Sequence, residues 1–319
     1  MFKLKNPQDI KAPFDLVQFP SMGLFYPDKR TGVLVKYLSG VEEQILTAPM
    51  LYYTGIAFDM ALDSLIMEEG VVVDDLLVCD RNSIILFLRY TGYGDGYPIN
   101  ITCPSCGETG ETKFSISSME GRDIKVMPDE EGCYSYKLQN LKINNEPVVV
   151  RFSPMRVRDE KIYLHALEQH KSNPRAIPID ITLKYKLQIR SINNIKDDDF
   201  IEKVISNMPF IDSQALRNYM EKIEPGIDSK VTITCDKCTH RYIEEYPINT
   251  DFFGITPEYK NVILEEMFLL EHYSEGNVGP SDSLVMATNE RRWRLQRLAD
   301  EINKRNSAQE RASKAGGKK

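Results

Sequence analysis

Two C-x-x-C pairs constrain this chain more than any other feature. The first lies in Ile99-Asn100-Ile101-Thr102-Cys103-Pro104-Ser105-Cys106-Gly107, the second in Val231-Thr232-Ile233-Thr234-Cys235-Asp236-Lys237-Cys238-Thr239. Each follows one plan: an alternating β-branched strand, the cysteine pair at the tip, and a return strand. In such a turn both thiolates point to one side and backbone N–H groups reach the sulfurs. Two turns facing each other supply four sulfurs at about 2.3 Å from a tetrahedral zinc. The expected site is therefore Cys103, Cys106, Cys235 and Cys238, binding one structural zinc per chain. A metal with four protein ligands is closed, so it staples and does not catalyse. Residues 107–234 separate the pairs, so the zinc ribbon is split by a long insert.

Cys-Pro-x-Cys also occurs in dithiol redox enzymes, where it opens a helix that stabilises a thiolate. Here Gly107-Glu108-Thr109-Gly110 follows Cys106 and does not start a helix. His240 could replace a sulfur, but four cysteines already satisfy a metal. His165, His170 and His272 read as surface or core residues on helices, and Cys79 and Cys133 as small apolar fillers. There is no Walker loop, nucleophile elbow or HExxH, so no enzyme is expected.

Six cysteines in 319 residues do not suggest a disulfide scaffold. The N-terminus lacks the apolar run of a signal peptide, and no stretch approaches the ~18 consecutive apolar residues of a membrane span. The net charge of −7 conceals an asymmetry. Residues 291–319 hold ten basic and three acidic side chains, so they carry +7 and the first 290 residues carry −14. An acidic body argues against nucleic acid as the main partner.

Periodicity and punctuation give an α+β chain in several parts. Residues 1–18 read as an arm and 19–98 as a small helical domain. The split ribbon takes 99–115 and 230–248, around an inserted α+β domain at 116–229 with its own core. C-terminal helices fill 249–305, and 306–319 reads as a disordered basic tail. Within these parts, Gly32–Leu38 predicts a strand and Val41–Thr47 a short helix. Phe58, Leu62, Leu65 and Ile66 share a helix face that Gly70 would close. Asp80 would cap a buried helix from Arg81 to about Thr91. In the insert, Tyr134–Leu141 and Pro147–Phe152 form a hairpin around Asn144-Asn145. Helices follow near Arg156–His170, Asp198–Asn207 and Ser213–Ile223. Ile179–Ile192 alternates like a strand but has the length of a helix, and both readings stay open. Thr256-Pro257 starts a helix whose face is Tyr259, Ile263, Met267 and Leu270. A Ser274–Ser283 break, read as flexible, leads to a last helix with Leu295, Leu298, Ala299 and Ile302 on one stripe. There Trp293, beside Arg291, Arg292, Arg294 and Arg297, either packs onto its own chain or anchors an interface.

In their joint order, several segments resemble the T4-type baseplate hub assembly proteins of contractile-tailed bacteriophages. They are Phe19-Pro20-Ser21-Met22-Gly23-Leu24-Phe25-Tyr26-Pro27, Glu42-Glu43-Gln44-Ile45-Leu46-Thr47, Leu76-Leu77-Val78-Cys79-Asp80-Arg81-Asn82 with Arg89 and Tyr93-Gly94, and Cys103-Pro104-Ser105-Cys106-Gly107. Glu224-Pro225-Gly226-Ile227-Asp228, Asp251-Phe252-Phe253 and Arg291-Arg292-Trp293 continue the resemblance, which covers most of residues 19–300. Cys79 departs from a usual Gly, and Thr239 stands where the second pair usually has Gly. The resemblance implies a non-enzymatic virion or assembly protein of the tail baseplate, assembled in the host cytoplasm. Its contacts would be other hub proteins, the tape-measure protein or copies of itself. The other reading is a zinc-ribbon nucleic-acid-binding or transcription-associated protein.

Overall fold

The computed structural model describes residue 5 and residues 12–53, 55–171, 180–248 and 251–316, without the side chains of 170, 171, 180, 251 and 312–316. The expected α+β class holds, and the sheets are small. Strands β1 (Phe14–Gln18) and β2 (Gly32–Lys36) pair antiparallel, so the last part of the expected arm is a strand. Helices α1 (Gly40–Leu46), α2 (Pro49–Tyr53) and α3 (Ala57–Leu65) follow. Ser39 and Glu42 form a capping box on α1, and Glu42 also accepts from Ser64 at 2.9 Å. Gly70 does not close α3, which ends at Leu65 because Ile66 bridges to Val35 of β2.

Helix α4 (Val78–Tyr93) buries Ile84, Ile85, Leu86 and Leu88, as its apolar run requires. Asp80 is not its cap, since the helix starts earlier, at Val78, with Leu77 in the cap position. The carboxylate instead accepts from the Ser21 N–H (3.1 Å), the Ser21 hydroxyl (2.7 Å) and the Tyr26 hydroxyl (2.7 Å). Tyr26 in turn accepts from the Leu77 N–H at 2.8 Å. Burial raises the Asp80 carboxyl above its ordinary range, and the Ser21 and Tyr26 donors oppose that. Gly94, at φ 84°, ends α4 in a conformation that side chains disfavour. The chain then turns into β3 (Gly96–Thr102) and β4 (Thr109–Ser115).

The inserted segment holds β5 (Tyr134–Ile143), β6 (Glu146–Phe152) and β7 (Ile189–Ile192) in one sheet, order β5-β6-β7. Asn144 and Asn145 both take positive φ at the β5–β6 turn, the conformation that asparagine tolerates best after glycine. Helices α5 (Val157–Lys171), α6 (Asp180–Gln188), α7 (Asp198–Ser206) and α8 (Phe210–Ile223) complete it. The ambiguous stretch is therefore helix first and strand last, and Ile179 lies outside the described residues. Asp212 on α8 accepts from the Gln139, Asn140 and Leu141 N–H groups and so holds the irregular middle of β5. The insert does not keep a core of its own. One apolar cluster runs from Val17 and Phe25 through Ile84 to Tyr134, Phe152 and Leu216. Phe25 meets Tyr134 edge-on at 5.6 Å, and Val78 N–H donates to Met155.

The two ends of the insert meet at a backbone neck. Arg122 N–H donates to Gly226 C=O and Asp228 N–H to Glu120 C=O, both at 2.8 Å. The chain then enters β8 (Lys230–Thr234) and β9 (Arg241–Glu245).

Helices α9 (Lys260–Tyr273), α10 (Pro280–Val285) and α11 (Thr288–Gly316) end the fold. The basic tail is helical to Gly316, not disordered; residues 303–311 are exposed, and 317–319 lie outside the described residues. Nor is the Ser274–Ser283 break a loose tether. Val278 and Ser283 are buried, and Ser283 donates to Glu271. What fixes α11 is Arg291, with no exposed surface at all. Its guanidinium donates to Glu43 at 2.6 Å and to Glu266 at 2.9 and 3.0 Å. Glu43 is fully buried and also accepts from the Tyr93 hydroxyl at 2.6 Å. Gly40 is needed nearby, because a side chain there would sit 2.8 Å from the Leu284 carbonyl. Trp293 remains 63 % exposed, so it does not pack the helix onto its own chain.

Replacing Arg291 with Met leaves Glu43 buried without its cation and should cost about 3–5 kcal/mol in urea unfolding. Adding Glu43→Gln should return part of that loss. Equal stability of Arg291→Met and the parent would refute the role of the pair.

Glu224 lies at the neck, where it accepts from Gln188 at 2.8 Å. Burial pushes its carboxyl up to about 7 from 4.5, against the pull of Lys184 and the Gln188 bond. Between these values the folded chain holds a proton that the unfolded chain has released. Stability should therefore fall as pH rises from about 5 to 7, by up to about 3 kcal/mol. In thermal melts, Glu224→Gln should match the parent near pH 5 and exceed it near pH 8. Parallel melting curves across that range would refute the assignment.

Candidate metal centre

The two cysteine pairs sit at the tips of the hairpins β3–β4 and β8–β9. Thr102 pairs with Thr109 and Thr234 with Arg241, so each ladder closes beside its cysteines. The turns are built alike. Cys103 N–H donates to Glu108 C=O and Gly107 N–H to Cys103 C=O; Cys235 N–H donates to His240 C=O and Thr239 N–H to Cys235 C=O. Gly107 and Thr239 occupy equivalent positions at φ 70° and 57°. This conformation suits glycine, and Thr239 adopts it at a steric cost. His240 contributes its backbone carbonyl, and its ring stacks on Tyr242.

The four sulfurs come together as the sequence pattern requires. Cys103 Sγ lies 3.6 Å from Cys238 Sγ, and Cys106 Sγ lies 3.8 Å from Cys235 Sγ. One ligand atom from each of the four falls within 4.8 Å of all the others. Sulfurs about 2.3 Å from a tetrahedral ion stand roughly 3.8 Å apart, so this spacing suits one ion between them. A disulfide would need about 2.05 Å, and all six cysteines are free. Cys103 and Cys235 are buried, Cys238 is half-buried and Cys106 is exposed. Lys237 bonds Glu108 across the two turns, adding an exposed link beside the sulfurs.

The thiols titrate unequally. Cys103 is held down at about 6, chiefly by the Cys106 N–H, with burial opposing it and the Ser105 N–H and Cys238 thiol assisting. For Cys106 the Glu108 N–H favours the thiolate, yet desolvation and the other three sulfurs push it up to about 12. A divalent cation would supply the charge needed for four thiolates. The turn after Cys106 leads into β4 and not into a helix, so the dipole that activates a redox dithiol is missing here.

The remaining sequence candidates lie elsewhere. His165 on α5 is exposed, 2.9 Å from Gln169, in a cleft between α5 and α2–α3. His272 stacks on Phe268 and meets Tyr273 edge-on. The side chain of His170 is outside the described residues. Cys133 is buried and Cys79 half-buried beside Asp80; neither approaches the four-sulfur group. Sequence reasoning missed the parts that aim the hairpins. These are the neck at 120–122 and 226–228, and a ring series in which Tyr246 meets Phe114 (5.1 Å), Phe114 meets Tyr97 (5.2 Å), and Tyr97 stacks on Phe252 (4.4 Å). Only the aromatic side chains repeated near each cysteine pair hinted at the second. Among the described residues no helix is long and apolar enough to cross a membrane.

Compared with protein-family models, with curated proteins and with solved structures, the chain matches none.

Replacing Cys103 or Cys235 with Ser should abolish metal retention and lower the melting temperature, because a structural metal contributes folding free energy directly. Elemental analysis across a desalting column, with and without chelator, reads the first effect. A folded, reduced parent protein without bound metal would refute the site.

Proposed function

We propose that the protein is a non-enzymatic structural or assembly component of the baseplate hub of a contractile-tailed bacteriophage, stapled by one structural zinc. The observation that carries the reading is the closed four-sulfur site on two facing hairpins. Its ligand chemistry suits zinc, and four thiolates leave no position for a substrate or a reactive water. The resemblance of residues 19–300 to baseplate hub assembly proteins supplies the setting. It rests on the ordered segments around Ser21, Glu43, Asp80, Cys103, Gly226, Phe252 and Arg291. The partners on this reading are other hub proteins, the tape-measure protein or further copies of the chain, and the location is the tail baseplate.

Support also comes from how charge is placed. The basic residues of 303–311 lie exposed on a helix rooted by Arg291, beside a body that carries −14. A nucleic-acid-binding zinc ribbon would set basic and aromatic side chains beside the metal. On these hairpins Glu108, Glu111, Asp236, Glu244 and Glu245 offset Lys113, Lys230, Lys237 and Arg241, so no net basic stripe lies beside the sulfurs.

Mass spectrometry of purified particles and of affinity-captured assembly intermediates should find the chain with hub proteins, carrying one zinc per copy. Salt-sensitive binding to duplex or single-stranded DNA, together with no capture of hub proteins, would favour the transcription-associated reading and refute this one.

A further inference from the structure

The outer edges of β4 and β8 border one groove of about 630 Å³, lined by Thr112–Ser115 of β4 and by all of β8. Each strand pairs on one side alone, β4 with β3 and β8 with β9. Beyond those ladders, the backbones of 112–114 and 231–234 make no hydrogen bond within the described chain. The groove thus presents two rows of unpaired donors and acceptors over a floor of buried Ile99, Phe114, Val231 and Ile233. Two such edges held at one cleft form a template for an added strand.

The charges along the groove are sorted. Lys113 and Lys230 lie at its base, where β4 ends and β8 begins, and neither makes an ion pair with the described residues. Asp236 stands at the opposite end, beside Cys235. The segments of this chain outside the described residues do not match this pattern. Residues 1–4 and 6–11 hold Lys3 and Lys11 against Asp9; 172–179 hold Arg175; 317–319 end in two lysines. Each is basic, and Lys113 and Lys230 would repel it.

We propose that this groove binds an extended segment of a separate protein, about five residues long, with an acidic residue at the Lys113–Lys230 end. The segment would join the hairpins into one sheet of order β3-β4-segment-β8-β9. Because β4 runs toward the base and β8 away from it, the segment would lie parallel to one and antiparallel to the other. Backbone bonds supply affinity and the two lysines fix direction. The proposal does not depend on the baseplate reading.

The probe is a fluorescent eight-residue peptide of alternating Thr and Val with Asp and Glu at one end, titrated into the full-length protein. Saturable binding should weaken at least tenfold in Lys113→Glu/Lys230→Glu, and as much when every second peptide amide is N-methylated. The double variant should prefer a peptide with lysines in place of the acids. Amide exchange should slow at 112–114 and 231–234 in the complex. Both lysines are exposed, and unchanged metal content in the variant verifies its fold. No saturable binding at millimolar peptide, indifference to the charge reversal, or protection confined to other strands would overturn the proposal. So would a dimer in sedimentation that the double variant dissociates, since a second copy would then fill the groove.

Discussion

The buried guanidinium of Arg291 is the contact on which the assembly of the helical part depends. Removing a charge from water costs several kcal/mol, so the site is stable only with its counter-charges in place. Glu43 and Glu266 supply them from α1 and α9, and burial, which favours a neutral guanidine, is outweighed by Glu43 and then Glu266. The neighbouring Arg292 bonds Glu266 and lies 4.5 Å from the ring centre of Tyr93, whose hydroxyl bonds Glu43. Two cations and two carboxylates are thereby gathered around one aromatic ring, with Arg89 at 5.0 Å from the same centroid. Residues 248 apart in sequence are bonded directly. This part of the fold is therefore complete only when the chain from α1 to α11 is present.

The four-cysteine site closes a different gap. Its two hairpins are separate two-stranded sheets, and a lone hairpin is marginal in water. Three devices aim them at each other: the neck, the ring series from Tyr246 to Phe252, and the sulfurs at the tips. The ring series touches the ion network as well, because Phe253 meets Tyr93 edge-on at 5.9 Å while its neighbour Phe252 stacks on Tyr97. The four-sulfur cluster and the buried ion pair are thus joined through packed side chains.

The four-cysteine cluster is legible because the same C-x-x-C turn is written twice at one spacing. The helix around Ile84 is legible from its unbroken apolar run, and the helix around Ile263 from the one face it buries. Asp80 reads as a cap by residue type, yet Ser21 and Tyr26, more than fifty positions away, claim its carboxylate. Arg291 reads as one of four arginines around Trp293, with nothing local to set it apart, and only the arrival of α1 and α9 gives it buried partners. The Ile179–Ile192 pattern fits a strand, but its first part packs as a helix against α5 and α7. The tail has the composition of a disordered segment, yet it continues the register of α11. Long-range polar partners override local preference in the first two cases, and tertiary packing does so in the third.

Many of the residues that carry the family resemblance turn out to bond one another. Ser21 and Tyr26 hold Asp80, Tyr93 and Arg291 hold Glu43, and Gly226 closes the neck. Committed to the interior, these groups are not free to meet a partner, so on the proposed reading recognition falls to exposed surfaces. The exposed side of α11 is one, where Trp293 lies open beside Arg294 and Arg297. The groove between β4 and β8 is another. Both are positioned by buried devices, the first by Arg291 and the second by the neck and the sulfurs. If the proposed partners bind there, a substitution at either device weakens binding without touching the partner, and binding data alone would misplace the interface. Measuring stability alongside binding separates the two, since a residue at the contact itself, such as Lys113 or Trp293, changes the second and leaves the first within about 0.5 kcal/mol.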